Sequence, residues 1–251
     1  MPAAFDDGVI VGQGTLDGRR VLAAAQEGAF IGGSVGEVHG AKIVGLLERA
    51  VATKPAGVVL LLDSGGVRLH EANAGLIAIS EIIRSLLVVR LAGIPVVAII
   101  GGANGCFGGM GIVARCCDRV IMSEEGRLAL SGPEVIETVK GVEEFDSRDR
   151  ALVWRTTGGK HRYLLGEADT LVADSIPAFR AAAVAALADR RSLTLEALEE
   201  QQARLEERRK QYGKLEDALD IWSAQGIVDP ERLPLLEAEQ FLVAVQQREA
   251  P

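Results

Sequence analysis

Two apolar runs constrain this chain more than any other feature: "GVVLLLD" at 57–63 and "IPVVAII" at 94–100, each leading straight into glycines, "SGGVR" and "GGANGCFGGMG". A run without polar alternation fits a strand buried on both faces, which is the situation of parallel strands covered by helices. Helical spacing then follows each turn. After the first come Ala74, Ile77, Ala78, Ile82, Leu86 and Leu87, giving a helix from about Glu71 to Gly93, and after the second comes the short helix "GGMGIVARCC". Strand, glycine turn, helix, strand is the alternation of an α/β protein.

The flanking segments extend the pattern. Val9 to Gln26 reads as two strands joined at Asp17-Gly18, a dipeptide suited to the positive φ angles of a tight hairpin. Ile43, Leu46, Leu47 and Ala50 recur at helical spacing and predict a helix from about Val38 to Ala52. "RVIMS" and "RLALS" read as further strands, and "GPEVIETVKG" as a helix with proline in its first turn. Beyond Pro177 the composition shifts to charged, leucine-spaced sequence. We therefore divide the chain into an α/β domain at 1–177 and a helical region at 178–251. Leu198, Leu205, Tyr212 and Leu219 fall seven apart, a stripe so short that it predicts packing on the same domain or on a partner subunit rather than a coiled coil.

Composition excludes several function classes. The 251 residues are 48% hydrophobic, enough for one sizeable core, and the formal net charge of -8 comes without any cluster of Lys and Arg, so no nucleic-acid footprint is expected. From Leu91 to Ala114 no residue is charged. Glycines and Pro95 break that stretch into strand, loop and short helix, because each glycine inside a spanning helix costs roughly 1 kcal/mol of propensity. No membrane span is expected. Cys106, Cys116 and Cys117 lack metal-ligand spacing, and the start of the chain lacks the order of a secretion signal, which points to a reducing cytoplasm. We expect neither a metal nor a redox cofactor.

Glycines just before a helix leave backbone N–H groups without partners and let a ligand oxygen approach them closely. Neither turn matches GxxxxGK[ST] or GxGxxG, the phosphate-loop fingerprints. An oxyanion hole and simple tight packing remain as readings. Side-chain catalysts are poorly marked: His39, His70 and His161 are isolated, and Cys106 reads as a small buried hydrophobe rather than a nucleophile. Glu71, Glu134 and Glu137 fall where helices begin, as partners of the helix dipole.

In this order, "GQGTLDGRRV", "FIGGSVGEVHGAKI", "DSGGVRLHEAN", "GCFGGMG" and "SGPEVIE" resemble the carboxyltransferase branch of the crotonase superfamily, over about Val9 to Leu171. "GVEEFDSRDRALVWRTTGGKHR" is more specific and resembles the family of malonate decarboxylase beta subunits. The resemblance implies a crotonase-like spiral of strand-strand-helix units followed by a C-terminal helical region. It also implies decarboxylation of a malonyl thioester on an acyl carrier protein to the acetyl thioester. The carrier's arm is a dephospho-coenzyme A derivative, and no cofactor is attached to this chain. The implied partners are a gamma-type subunit, the acyl carrier protein and an acyl carrier protein transferase. The runner-up passes the carboxyl group to a biotin carrier, and a third reading is a non-catalytic scaffold for thioester or carrier.

Carried onto this sequence, the resemblance assigns the thioester oxyanion hole to the amides of Gly109 and Met110, with Gly108 shaping the turn. Gly65 and Gly66 line the same pocket and face the departing carboxylate. The turn of Phe30, Gly32, Gly33 and Ser34, with Lys42, falls near the pantetheine or nucleotide end, and Cys106 lies among the thioester-binding residues. Arg68 is expected either to pair with the malonyl carboxylate or to tie down a helix start. Three departures bear on substrate choice more than on reaction class. Relatives carry a longer leader before the first strand, "GGANG" stands where they often have a proline, and His70 stands where a glutamine is expected.

Overall fold

A computed structural model describes residues 7–246. Strands β1 (Val9–Leu16) and β2 (Arg19–Gln26) form the expected hairpin, with Asp17 and Gly18 both at positive φ, 52° and 72°. Strands β3 (Gly57–Leu62), β4 (Val96–Ile100), β5 (Arg119–Ser123) and β6 (Thr170–Val172) follow, and the sheet runs in chain order from β1 to β6. Only the hairpin is antiparallel. The three-residue β6 is too short to leave a periodic signal, and the sequence reading missed it.

Helices α1 (Glu37–Thr53), α2 (Ala74–Leu91) and α3 (Gly108–Cys116) cover one face of the sheet. They bury Ile43, Leu47, Ile82, Leu86 and Met110 against Leu22, Val58, Leu60 and Ile100. After α4 (Pro133–Lys140), α5 (Arg150–Thr157) and α6 (Gly159–Leu164), helix α7 (Ile176–Ala188) crosses to the other face, where Ala183, Ala186 and Leu187 meet Val21, Val59, Val97 and Ile121. Val58 and Val59 thus point into different cores, which is why β3 reads as an unbroken apolar run. Each aliphatic side chain so buried contributes about 1.5–3 kcal/mol.

Isolated ladder pairs give the fold its spiral. Val35 pairs with Val67, Ser64 with Cys106 and Cys106 with Leu128, all parallel, and Arg127 pairs antiparallel with Gly158. Each unit is therefore a long strand, a ladder of one or two residues and a helix. "RLALS" is such a ladder rather than the full strand expected from its apolar alternation. Only Arg127 and Leu128 pair, because Gly126 turns back onto Ser123 on one side and the Gly132 cap of α4 begins on the other.

Three helices follow α7: α8 (Leu195–Tyr212), α9 (Ala218–Ala224) and α10 (Ala238–Gln246). Trp222, Leu233 and Phe241 form a small core with Leu164 and Leu171. Within it Trp222 Nε1 donates to His161 Nδ1 at 3.2 Å. The sevenfold stripe does not survive as one face: α8 ends at Tyr212, Leu219 belongs to α9, and α8 buries no residue. Arg208 holds its last turns to the Leu165 carbonyl and Glu167. Among the described residues no helix is long and apolar enough to cross a membrane, and the uncharged stretch 91–114 is divided between the end of α2, β4 and α3.

Candidate active site

Three glycine turns meet at the carboxyl ends of β3 and β4. The Ser64 N–H donates to the Gly105 carbonyl (2.6 Å), and the Phe107 N–H returns to the Ser64 carbonyl (2.8 Å). The 30–35 turn joins through Gly65 N–H to the Gly32 carbonyl (2.8 Å) and Val35 N–H to the Gly66 carbonyl (2.9 Å). Close approach demands the glycines. Gly108 has φ +59°, and a Cβ on it would lie 3.2 Å from Gly66 Cα. Gly33 has φ +65°, and a Cβ there would overlap the Asp63 carbonyl.

Where the N–H groups go decides the chemistry. Gly108 donates to the Leu130 carbonyl (2.9 Å), Gly65 to Gly32 as above, and Gly66 to Ser64 Oγ (3.2 Å). The helical bond of α3 starts only with Gly111, which donates to the Phe107 carbonyl (3.4 Å). The N–H groups of Gly109 and Met110 therefore have no acceptor among the described residues. Two adjacent unpaired amides at the positive end of a helix dipole form a receptor for negative charge on an oxygen.

The expected companions divide. Phe30, Gly32, Gly33 and Ser34 do lie beside Gly65 and Gly66, while Lys42 sits half-buried on the second turn of α1. The amides of Gly65 and Gly66 are already bonded within the loops, so these residues contribute close backbone approach rather than donors to a departing carboxylate. Cys106 is fully buried, and burial pushes its thiol far above the usual range. Its backbone bridges Ser64 and Leu128, and its sulfur takes no part at the surface. Arg68 is buried as well: its guanidinium holds both Asp7 oxygens (2.6 and 2.8 Å) and Glu71 (3.0 Å), donates to the Ser34 carbonyl (3.0 Å) and lies over the Phe30 ring. With its charge thus paired, it ties the 30–35 turn to the segment before α2. Glu71 accepts from the Glu37 N–H (2.7 Å) and so caps α1, not the helix that follows it; that bond is the main reason its carboxyl is held below the usual range.

Sequence reading missed two residues. Asp63, at the end of the first apolar run, accepts from the N–H groups of Asn104 (2.8 Å) and Gly105 (3.1 Å), and burial raises its carboxyl pKa against those bonds. Arg127 stacks on Phe107, the N-cap residue of α3, and on Trp154, whose other neighbour is Arg150. An acid in an otherwise apolar strand end was a signal for the first; nothing local marked the second. Three grooves of about 490 to 670 Å³ open on the chain; one of them reaches Asp63, Gln26 and Gly102, and none of the three is lined by Gly109 or Met110.

Strands and one-residue ladders winding into helices, with unpaired amides where a glycine turn opens a helix, define a crotonase-like α/β protein. The sequence pattern of the carboxyl transferase domain matches residues 1–174, and the chain belongs to that family. It is 42% identical, over 98% of its length and 83% of the relative's, to the malonyl-S-ACP:biotin-protein carboxyltransferase MADC of Malonomonas rubra. A Pseudomonas malonate decarboxylase hetero-tetramer solved with malonate contains a similar chain, at 42% identity and a TM-score of 0.77 over 87% of this chain and 80% of that one. The transcarboxylase 12S subunit, solved with methylmalonyl-coenzyme A, is 29% identical with a TM-score of 0.60 over 70% of this chain and 32% of that one.

Proposed function

We propose that this chain is the thioester-binding catalytic subunit of a malonate decarboxylase, converting malonyl-S-acyl carrier protein to acetyl-S-acyl carrier protein. The observation that carries this reading is the pair of unpaired amides at Gly109 and Met110. When the bond to the carboxylate breaks, its electrons move onto the thioester as an enolate, and two fixed donors hold the oxygen as it becomes negative. Carbon dioxide leaves, and the enolate carbon takes up a proton. Among the described residues His39 and His161 are buried and His70 stands beside Glu71, 3.9 Å away; we assign the acid to the gamma-type partner.

Apolar side chains around the turns suit that partner. Leu69 (88% exposed) follows Arg68, Leu130 (69% exposed) supplies the carbonyl for Gly108, and Leu76, Ile77 and Ile112 are exposed on α2 and α3. Exposed aliphatic groups in such number mark an interface. A subunit seated there closes the open site. The carrier presents its substrate on a dephospho-coenzyme A-derived arm, which the 30–34 turn and Lys42 receive, and a carrier protein transferase reloads it with malonate. Free cysteines suit a cytoplasmic setting.

The similarity to MADC, as high as that to the malonate decarboxylase chain, favours one second reading, in which the carboxyl group passes to biotin instead of leaving as CO2. Acetyl-carrier formation from malonyl-carrier, followed by mass spectrometry with the gamma-type partner and with or without avidin, separates them. Turnover indifferent to avidin supports decarboxylation, and loss with avidin supports transfer. Tight thioester binding without turnover contradicts both.

A further inference from the structure

We infer that Asp63 is a positioning residue that fixes where the two free amides stand; the inference rests on the thioester reading of Gly109 and Met110. Asp63 Oδ1 accepts from two consecutive N–H groups, those of Asn104 and Gly105, which open the turn leading into α3. Its own N–H donates to Gln26 Oε1 (3.2 Å), and Gln26 Nε2 lies 3.1 Å from His39 Nε2. His39 Nδ1 is 3.0 Å from the Asp7 carbonyl oxygen, an acceptor only, so the proton is on Nδ1 and Nε2 accepts from Gln26. That tautomer also settles which way the Gln26 amide faces.

A continuous line therefore runs from α1 through Gln26 to Asp63 and on to the turn that places the oxyanion donors. Backbone packs closely against the carboxylate on two sides. A Cβ on Gly28 or Gly102 would overlap its atoms, and one on Gly33 would overlap its carbonyl. The free amides begin four residues beyond Gly105, and every residue between is bonded: Cys106 N–H to the Arg127 carbonyl (2.8 Å), Phe107 N–H to the Ser64 carbonyl and Gly108 N–H to the Leu130 carbonyl, so the segment moves as one ladder. A shift of the Asn104–Gly105 pair is thus carried into Gly109 and Met110, and about 1 Å of misplacement costs on the order of 100-fold in rate.

The test separates position from charge. In the full complex with partner and malonyl-loaded carrier, Asp63→Glu keeps the charge but moves the carboxylate one methylene out of register with the Asn104 and Gly105 N–H groups, whereas Asp63→Asn removes the charge and leaves Oδ1 in place. Asp63→Glu should lower kcat about 100-fold with KM within about threefold, and Asp63→Asn should recover most of that loss. Gln26→Met, outside the turns, should lower kcat about tenfold at unchanged KM and serves where Asp63→Glu fails to fold. Hydrogen exchange at the Asn104 and Gly105 amides reads the clamp independently of turnover, and should be about tenfold faster in Asp63→Glu than in Asp63→Asn. Equal exchange in wild type and variants, or Asp63→Asn as impaired as Asp63→Glu, would overturn the assignment. A wild-type complex that forms no acetyl-carrier would instead remove the thioester reading, leaving the exchange experiment to decide the clamp.

Discussion

Gly108 is held at a left-handed φ, and a Cβ on it would press on Gly66 at 3.2 Å. Gly108→Ala should destabilise the chain by about 1–2 kcal/mol in urea unfolding and lower turnover with it. Ile31 is the opposite case, a β-branched residue held at φ 51° with half its surface exposed. Such a residue pays for a backbone that glycine adopts freely, so Ile31→Gly should raise stability by up to about 1 kcal/mol in the same measurement. His39 and His161 are both lowered to about 4, chiefly because burial strips water from the imidazolium. The unfolded chain, titrating near 6.5, takes up these protons first as pH falls. Their contribution is complete above pH 6.5 and is lost between 6.5 and about 4, at up to about 3 kcal/mol each. Unfolding midpoints at pH 7.5 and 5 should therefore differ more in wild type than in His161→Gln. Of these residues the sequence announced only the glycines, because a left-handed turn has a compositional mark. The partners of Arg68 and Glu71 lie up to 61 positions away, on segments whose meeting no local pattern records.

At the level of elements, β3, β4 and the helices after them were legible because each is long enough to show its period and is bounded by glycine. The ladders were not. A ladder of one or two residues is too short to carry a pattern of its own, and the alternation of "RLALS" runs beyond the two residues that pair. In α8, leucines seven apart suggested a packed face, yet Leu198 and Leu205 are exposed and the helix is held only near its end. Changing both to serine should shift the stability of the isolated chain by less than about 0.5 kcal/mol per site, as expected for side chains on an exposed helix face. Loss of several kcal/mol in that experiment would show a contact that the fold does not contain.

Taken as a whole, the molecule is a spiral with two unpaired backbone donors at one glycine turn and with Arg68 paired internally beside it. In the proposed function the proton source and the cover over the turns come from a partner subunit. That division agrees with the relatives solved as a hetero-dimer and a hetero-tetramer. Leu130→Asp should accordingly weaken binding of the gamma-type partner, read by size-exclusion or calorimetry, while leaving the unfolding midpoint of this chain unchanged. The central claim, that the Gly109 and Met110 amides hold the enolate oxygen, is tested most directly by comparing Gly109→Pro with Gly109→Ala in the assembled complex. Both variants place a Cβ about 2.6 Å from Ile79 Cγ1, but only proline removes the N–H. The measurement is the single-turnover rate of acetyl-carrier formation. The rate should be about 100- to 1,000-fold lower for proline than for alanine; equal rates with the partner still bound would mean that the Gly109 amide does not hold the enolate oxygen.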